Sequence, residues 1–314
     1  MGVAASPIFE AGFLGQGTSG WLIVLNKSSE DAKKPIVNLM VIGGKKCGTT
    51  LFAEQLSMHP SFFVAPQKEL SYFCSEKKLT RGINWYHSNF IGRLNEPFVV
   101  DASVDYLGLA NKTVREIYNY NPNCKLICLV RDPINRAYSQ IRWHLQLSGS
   151  DHDIQTYVDQ AIFESRYTEL LSIYRKYFSD IILVDFDIFV SDQNGCIARL
   201  GSLLGLPENI SNKIRLKNRH LGSTINPRFR WLEKGRQAIF SYVKRRELYY
   251  FLRLAKRLGL SNLYRRINNK PANELSEDIK VKIISSLSDE RQAYLAFKNE
   301  CKAKGGIGCA SDLL

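Results

Sequence analysis

The sequence predicts an α/β fold: a P-loop-like, doubly wound parallel sheet flanked by helices, with a basic helical C-terminal region. Short apolar runs such as IVNLMVIGG alternate with longer segments of helical periodicity, the order expected for a parallel sheet covered on both faces. The first run ends in a glycine-containing turn that opens a helical segment. A chain of 314 residues with 45% apolar content can bury one large core around such a sheet.

Four strands and the helices that follow them can be assigned from the hydrophobic pattern. The predicted strands are, in chain order, IVNLMVIGG, PFVVDAS, CKLICLVRD and DIILVDFD. The helices predicted after them are TTLFAEQLSMHP, NKTVREIYNY, PINRAYSQIRWHLQL and GCIARLGSLLGL. One further helix is predicted over IQTYVDQAIFESRYTELLSIYRKYF, helical structure over ELSEDIKVKIISSLSDERQAYLAF, and a frayed end over CKAKGGIGCASDLL. In such a sheet a ligand binds at the carboxyl ends of the strands.

Positive charge is concentrated in one part of the chain. Between residues 211 and 270 there are 17 Lys and Arg against two acids, Glu233 and Glu247, so this segment carries +15. Because the whole chain carries +13, the remainder carries −2. A local positive field implies an anionic partner such as a nucleotide, an acidic polymer, a membrane surface or a nucleic acid. A solvated helix face rich in lysine and arginine explains part of the segment equally well.

The sequence favours a cytoplasmic protein. No apolar run approaches the roughly 18 residues that a membrane-spanning helix needs, and the start of the chain lacks a secretory signal pattern. Seven cysteines without paired short spacings suit a reducing compartment and suggest no metal site. The basic segment leaves peripheral contact with a membrane open. The first residues, MGVAAS, fit an N-myristoylation pattern on Gly2, although an ordinary N-terminal extension explains them too.

The turn in VIGGKKCGTT has the glycine spacing of a phosphate-binding loop without its usual lysine. Gly43 and Gly48 stand five apart, as in a Walker A loop, but Thr49 occupies the lysine position and two lysines lie inside the turn. Backbone N–H groups at a strand–turn–helix junction bind anions with or without that lysine. The residues predicted to hold a phosphate are Gly44, Lys45, Lys46, Cys47, Gly48, Thr49 and Thr50.

Together with two later motifs, this turn resembles the donor site of the sulfotransferases that use 3′-phosphoadenosine 5′-phosphosulfate (PAPS). KCGTT is similar to their loop, in which a lysine, here Lys46, stands two residues before Gly-Thr-Thr. HPSFFVAPQKELSYF is similar to their His-Pro and Lys-Glu-x-x-Phe-Phe stretch, with Tyr72 replacing the first aromatic residue. LVRDPINRAYSQ resembles their motif for the 3′-phosphate, with Arg131 at a strand end and Ser139 eight residues later.

The resemblance implies roles for the residues that would bind the donor. Lys46 would stabilise charge on the leaving phosphate, an electrostatic effect that requires a preorganised cation. Arg131 and Ser139 would bind the 3′-phosphate, because guanidinium suits a dianionic phosphate. Arg228, in the later stretch NPRFRW, could close over the same phosphate. The plainer alternatives are that Arg131 pairs with Asp132 and that Ser139 is an ordinary helix-surface serine.

The resemblance also implies the residues that would act on the acceptor. Among sulfotransferases, the heparan-type and bacterial carbohydrate-type enzymes use a glutamate as general base, and it corresponds here to Glu69. Lys68 and Asp101 would contact the acceptor. The alternatives are a surface ion pair between Lys68 and Glu69, and a capping or loop role for Asp101.

The implied activity is transfer of a sulfuryl group from PAPS to a hydroxyl, or as a second choice an amine, of a glycan or other polar acceptor. That acceptor could be anionic or lipid-linked, and the reaction needs no metal. Two departures from the animal heparan enzymes leave the acceptor open: Ala102 replaces a frequent lysine, and the loop NRHLGSTINPRFRW lacks their Lys-Gly-Arg. We expect residues 1–35 to be an extension and residues 36–314 to form the sulfotransferase domain, with the basic segment inside it.

Two other functions compete with this interpretation. A P-loop nucleotide kinase or hydrolase would need a magnesium-binding aspartate, for which Asp185 in IILVDFD is the candidate. A nucleic-acid-binding protein would use the basic segment, with binding that weakens as salt rises. The first alternative lacks the Gly-Lys-Thr of a Walker A loop. The second does not account for the coexistence of KCGTT and RDPINRAYS, so we expect nucleic acid not to be the partner.

Overall fold

The computed structural model describes residues 34–148, 154–207 and 275–310, together with Leu313 and a few isolated positions between 232 and 242. The predicted basic segment, residues 211–270, and Arg228 lie outside the described residues apart from those isolated positions. The predicted domain limits therefore stay predictions.

The described residues contain a mixed sheet whose first five strands are parallel. Its strands are β1 (Leu39–Gly43), β2 (Phe62–Val64), β3 (Phe98–Ala102), β4 (Lys125–Val130), β5 (Ile181–Asp185) and β6 (Ile307–Cys309). They lie in the order β2-β3-β1-β4-β5-β6, with β6 antiparallel to β5. The prediction of a doubly wound parallel sheet is confirmed, including all four strands assigned from the sequence.

Helices cover this sheet and follow its strands. They are α1 (Thr49–Leu56), α2 (Glu76–Leu79), α3 (Gly82–Ser88), α4 (Asp105–Gly108), α5 (Ala110–Tyr120), α6 (Pro133–Ser148), α7 (Ile154–Phe163), α8 (Tyr167–Arg175), α9 (Phe186–Ser191), α10 (Gln193–Leu203), α11 (Glu277–Ser286) and α12 (Ser288–Ala303). In this part of the chain, no helix is both long enough and apolar enough to cross a bilayer.

The central strands are continuous apolar runs because helices bury them on both faces. All five residues of β1 are buried, and so are five of the six residues of β4. The chain leaves β1 toward β3 and β2 on one side and later returns to β4 and β5 on the other. The switch point therefore lies between the carboxyl ends of β1 and β4, where ligands of such sheets bind.

The single helix predicted over residues 154–178 is divided into α7 and α8. The carbonyl oxygen of Ala161 accepts hydrogen bonds from the side chains of Arg136 and Ser165, at 2.9 and 2.8 Å. The amide of Ser165 turns instead to the carbonyl of Ile162 at 3.0 Å. The break is imposed by a tertiary contact that periodicity does not reveal.

The prediction of a frayed C-terminal end is wrong for residues 307–309. Ile307 is buried and pairs with Val184, which makes β6 an edge strand of the sheet. Gly305 and Gly306 have φ of 69° and 91°, and these left-handed conformations turn the chain back after α12. The three-residue strand β2 was not predicted because it is too short to show a periodicity.

Candidate active site

The turn between β1 and α1 is held tightly against the neighbouring strand. The amide of Gly44 donates to the carbonyl oxygen of Leu129 at 2.8 Å, and the amide of Cys47 donates to that of Gly44 at 3.2 Å. Gly48 has φ of 77°, a left-handed conformation that favours glycine, and α1 begins at Thr49. The first amides of α1 and the positive end of its dipole therefore lie at the carboxyl edge of the sheet, which suits an anion.

The side chains of the turn do not all face this edge. The thiol of Cys47 is buried, its Sγ lies 3.5 Å from the hydroxyl oxygen of Tyr167, and burial raises its pKa. Thr49 is buried, whereas Thr50 is exposed. The side chain of Cys47 thus packs on the core side of the turn, and the predicted phosphate contact of Cys47 would fall to its backbone.

Lys45, predicted to bind the donor, is neutralised by two carboxylates. Its Nζ lies 3.0 Å from Oδ1 of Asp105 and 3.1 Å from Oε1 of Glu164. Burial alone would lower the pKa of Lys45, but the two carboxylates outweigh burial and raise it. Because its charge is already balanced, Lys45 is a poor candidate for direct contact with a phosphate.

Lys46, the next residue, has the opposite electrostatic surroundings. Burial, reinforced by the positive charges of Arg131 and Arg136, lowers the pKa of Lys46. Its Nζ lies 5.3 Å from the ring centroid of Trp143, a partly exposed residue of α6. An ammonium group among cations gains when an anion binds, since the anion relieves their repulsion. Of the two lysines, Lys46 is therefore the one suited to hold a phosphate.

Arg131 lies at the end of β4 and contacts the turn directly. Its Nη1 donates to the carbonyl oxygen of Lys46 at 3.4 Å, and its guanidinium carbon lies 4.7 Å from the ring centroid of Phe186. The alternative of a pair with Asp132 does not hold, because that carboxylate binds Arg291 at 2.9 Å. The first and third motifs therefore meet at the switch point of the sheet. Ser139 lies about two turns into α6 and is partly exposed.

Arg136 binds the backbone of the turn from the core side, a role that the sequence analysis did not predict. It is fully buried, and its Nε donates to the carbonyl oxygen of Lys45 at 3.1 Å. Its Nη1 donates to Ser165 at 2.7 Å, and its Nη2 pairs with Glu164 at 2.9 Å. Its position in α6 is compatible with an exposed arginine, so only the tertiary fold identifies it as a core residue.

The second motif lies beside the first turn of α1. Nζ of Lys68 is 2.7 Å from the hydroxyl oxygen of Thr50 and 3.3 Å from Oε1 of Glu69. Burial lowers the pKa of Lys68, and the neighbouring Glu69 opposes this effect only in part. Glu69 has φ of 62°, donates its amide to Ala102 at 3.1 Å, and keeps 49% of its side chain exposed. The Lys68–Glu69 pair is present, and it lies beside the start of α1 rather than on a remote surface.

Asp101, predicted to contact the acceptor, is instead a core carboxylate. It is fully buried and accepts hydrogen bonds from the hydroxyls of Tyr86 and Tyr106 at 2.9 Å each, and from Ser103 at 2.6 Å. Burial raises the pKa of Asp101, and these hydroxyl donors counteract part of that effect. With its oxygens occupied inside the core, Asp101 fixes the segment after β3 and does not fit the predicted contact.

Asp185, the candidate magnesium ligand of a nucleotide hydrolase, is also committed to structure. Its Oδ1 accepts from the amide of Ile188 at 2.9 Å and caps α9, while its Oδ2 accepts from the hydroxyl of Tyr294 at 2.8 Å. The side chain is fully buried. Over the described ranges, no group of three or more His, Cys, Asp or Glu has metal-binding geometry.

The tight turn, the start of α1 and the cations Lys46 and Arg131 lie at the carboxyl edge of a parallel α/β sheet, an arrangement that suits a phosphate. The family model for the sulfotransferase domain matches residues 37–226. The chain belongs to the sulfotransferase family, and the resemblance noted from its motifs is confirmed.

Individual relatives agree with this family. The chain is 26% identical over 203 residues to the heparan sulfate glucosamine 3-O-sulfotransferase 5 of Mus musculus, covering 58% of this chain and 57% of the relative. It is 34% identical over 112 residues to the membrane-associated sulfotransferase kil1 of Dictyostelium discoideum, covering 35% of this chain and 23% of the relative. A sulfotransferase structure from Alicyclobacillus acidocaldarius superposes with a TM-score of 0.49 at 22% identity, over 59% of this chain and 86% of that one. The chain thus spans little more than half the length of the heparan sulfate relative.

Proposed function

We propose that this protein transfers a sulfuryl group from PAPS to a hydroxyl, or as a second choice an amine, of a glycan or other polar acceptor. The observation that carries the proposal is the 3.4 Å contact between the guanidinium of Arg131 and the carbonyl oxygen of Lys46. It brings together cations from two different strand ends, so that one nucleotide with two phosphate-bearing ends can reach both. Lys46 lies near the positive charges of Arg131 and Arg136, and a guanidinium group suits a dianionic phosphate.

When bound, PAPS supplies an SO₃ group on a phosphate that leaves as the acceptor oxygen attacks. The protein must therefore stabilise negative charge on the leaving phosphate and accept a proton. Lys46 is assigned the first task, together with the backbone amides at the start of α1. Arg131 and Ser139 are assigned to the 3′-phosphate, which orients the donor in the cleft. No step in this assignment requires a metal.

Glu69 is assigned the role of general base. Its carboxylate is half exposed, so an acceptor hydroxyl can approach it from solvent. Its amide is fixed to Ala102 and its carboxylate lies 3.3 Å from Nζ of Lys68, which itself reaches the hydroxyl of Thr50. Lys68 therefore links the base to the turn between β1 and α1, and we assign it the contact with a polar acceptor.

The proposal includes a glycan acceptor and a cytoplasmic location. The heparan sulfate name of a relative favours a glycan acceptor. The basic segment between residues 211 and 270 would attract an anionic glycan, or anionic headgroups around a lipid-linked acceptor. Five cysteines are buried free thiols, which fits the reducing, cytoplasmic environment expected from the sequence: Cys47, Cys74, Cys124, Cys128 and Cys196.

Transfer from ³⁵S-labelled PAPS to a mixture of glycans, lipids and small hydroxyl compounds tests the activity and the base together. The wild type should label an acceptor, and Glu69→Ala should lower kcat roughly 10² to 10⁴-fold, the usual contribution of a general base. Glu169→Ala is the matched control, because its side chain is 51% exposed and also faces a neighbouring cation, Arg166. A Glu69→Ala enzyme with wild-type turnover would refute the assigned base.

A further inference from the structure

An ion pair links two segments whose relative position matters for the proposed mechanism. They are the turn 44–48, here called the donor turn, and residues 69–71, which contain the proposed base. Nζ of Lys45 lies 3.0 Å from Oδ1 of Asp105, and the other oxygen of the same carboxylate accepts from the hydroxyl of Ser71 at 3.0 Å. Lys45 immediately precedes Lys46, and Ser71 lies two residues after Glu69. Asp105 thus connects the donor turn to the segment of the base through two direct contacts.

The donor end of this connection is anchored in the core. Nζ of Lys45 also lies 3.1 Å from Oε1 of Glu164, and Oε2 of Glu164 pairs with the buried Arg136 at 2.9 Å. Arg136 in turn donates to the carbonyl oxygen of Lys45 at 3.1 Å. Lys45 is therefore held at both its side chain and its backbone, and Asp105 transmits that fixed position toward Ser71.

The backbone on both sides of the connection needs such support. Lys46, Glu69 and Ser71 have φ of 65°, 62° and 46°, left-handed conformations that non-glycine residues adopt only when their surroundings hold them. The amide of Ser71 is also fixed, by Oγ of Ser103 at 2.9 Å. The carboxylate of Asp105 therefore joins two segments that both need their surroundings to hold them.

We propose that Asp105 is a positioning residue that sets the distance between Lys46 and Glu69 through Lys45 and Ser71. This inference rests on the proposed function, which assigns Lys46 to the leaving phosphate and Glu69 to the proton of the attacking acceptor. Asp105 acts through its two partners and not by touching donor or acceptor. In this proposal Lys45 binds the carboxylate of Asp105, which positions Glu69, and this role replaces the predicted phosphate contact.

Asp105→Asn keeps the size of the side chain but removes the charge that holds Lys45. We expect kcat to fall roughly 10 to 100-fold, since displacing reacting groups by about 1 Å has effects of that order. The Kd for adenosine 3′,5′-bisphosphate should rise much less than kcat falls, because Glu164 and Arg136 still hold the turn through Lys45. Ser71→Ala should lower kcat in the same direction, and the double variant should lose little more than Asp105→Asn alone.

Glu76→Gln is the matched control for removing an ion pair. Glu76 pairs with Lys112 at 2.7 Å and, like Asp105, connects two segments, α2 and α5. Both residues of this pair lie outside the candidate active site, so kcat and Kd of Glu76→Gln should equal those of the wild type. If Glu76→Gln lowered kcat as much as Asp105→Asn, the loss would reflect general destabilisation. That result would overturn the proposal.

Amide hydrogen exchange tests the connection independently of turnover. In Asp105→Asn, the turn 44–48 and the segment 69–71 should both exchange faster, while β4 should not change. Unchanged kcat in an active enzyme, or faster exchange in only one of the two segments, would overturn the inference. If the wild type neither binds adenosine 3′,5′-bisphosphate nor uses PAPS, the proposed function fails, and the exchange result still decides whether Asp105 joins the segments.

Discussion

Lys46→Ala should lower kcat by about two to three orders of magnitude, the loss observed when one preorganised electrostatic group is removed from a transition state. The expected loss is large because Lys46 is the lysine of the turn whose charge is not balanced by carboxylates, in contrast to Lys45. Its removal also relieves repulsion with Arg131 and Arg136, so the folded state should not be destabilised. Steady-state kinetics with PAPS and thermal unfolding of the same variant measure both effects.

Lys125→Ala is the control for the loss of one positive charge. Lys125 is exposed and begins β4, so it lies at the amino edge of the sheet, opposite the candidate active site. Its removal should leave kcat unchanged. If Lys46→Ala and Lys125→Ala had the same kinetic constants, Lys46 would not be the group that stabilises the leaving phosphate.

Arg136→Met should lower the free energy of unfolding by about 3 kcal/mol, the lower end of the loss expected when one partner of a buried ion pair is removed. The variant leaves Glu164, 7% exposed at its side chain, without its buried arginine partner. It also removes the hydrogen bonds to Lys45, Ala161 and Ser165. Lys45 still balances part of the charge of Glu164, which limits the loss.

Urea denaturation compares this variant with Arg142→Met, which removes an exposed arginine from the same helix. The control should stay within about 0.5 kcal/mol of the wild type, as surface substitutions usually do. A loss for Arg136→Met no larger than that of the control would contradict the role of Arg136 as the support of the turn.

The sheet and the donor turn could be predicted because their signals are local. The runs that form β1, β3, β4 and β5 are apolar throughout, which indicates burial on both faces, and the glycine spacing of the turn shows directly in ten consecutive residues. Arg131 could also be placed, because a residue that follows a parallel strand must lie at the ligand-binding edge. These assignments need only the order of elements, which the pattern contains.

The residues that hold the site in place could not be predicted, because their roles depend on contacts between distant parts of the chain. Lys45 meets Glu164 across 119 positions and Arg136 across 91, and neither pairing leaves a local pattern. The same limit explains why Asp101 was assigned to the acceptor: a carboxylate at a strand end is compatible with a ligand contact until the three hydroxyls around it are known. Long-range packing therefore determines which polar residues lie at the carboxyl edge of the sheet and which are buried in the core.

The central claim is that one nucleotide reaches both Lys46 and Arg131, and binding of adenosine 3′,5′-bisphosphate without metal tests it most directly. Calorimetry should show that the bisphosphate binds at least about tenfold more tightly than adenosine 5′-phosphate, since a charge-assisted phosphate contact contributes roughly 1.5 to 3 kcal/mol. In Arg131→Ala this advantage should vanish, while affinity for adenosine 5′-phosphate should persist. Equal affinities for the two nucleotides in the wild type, or tighter binding of ATP with magnesium, would contradict the account.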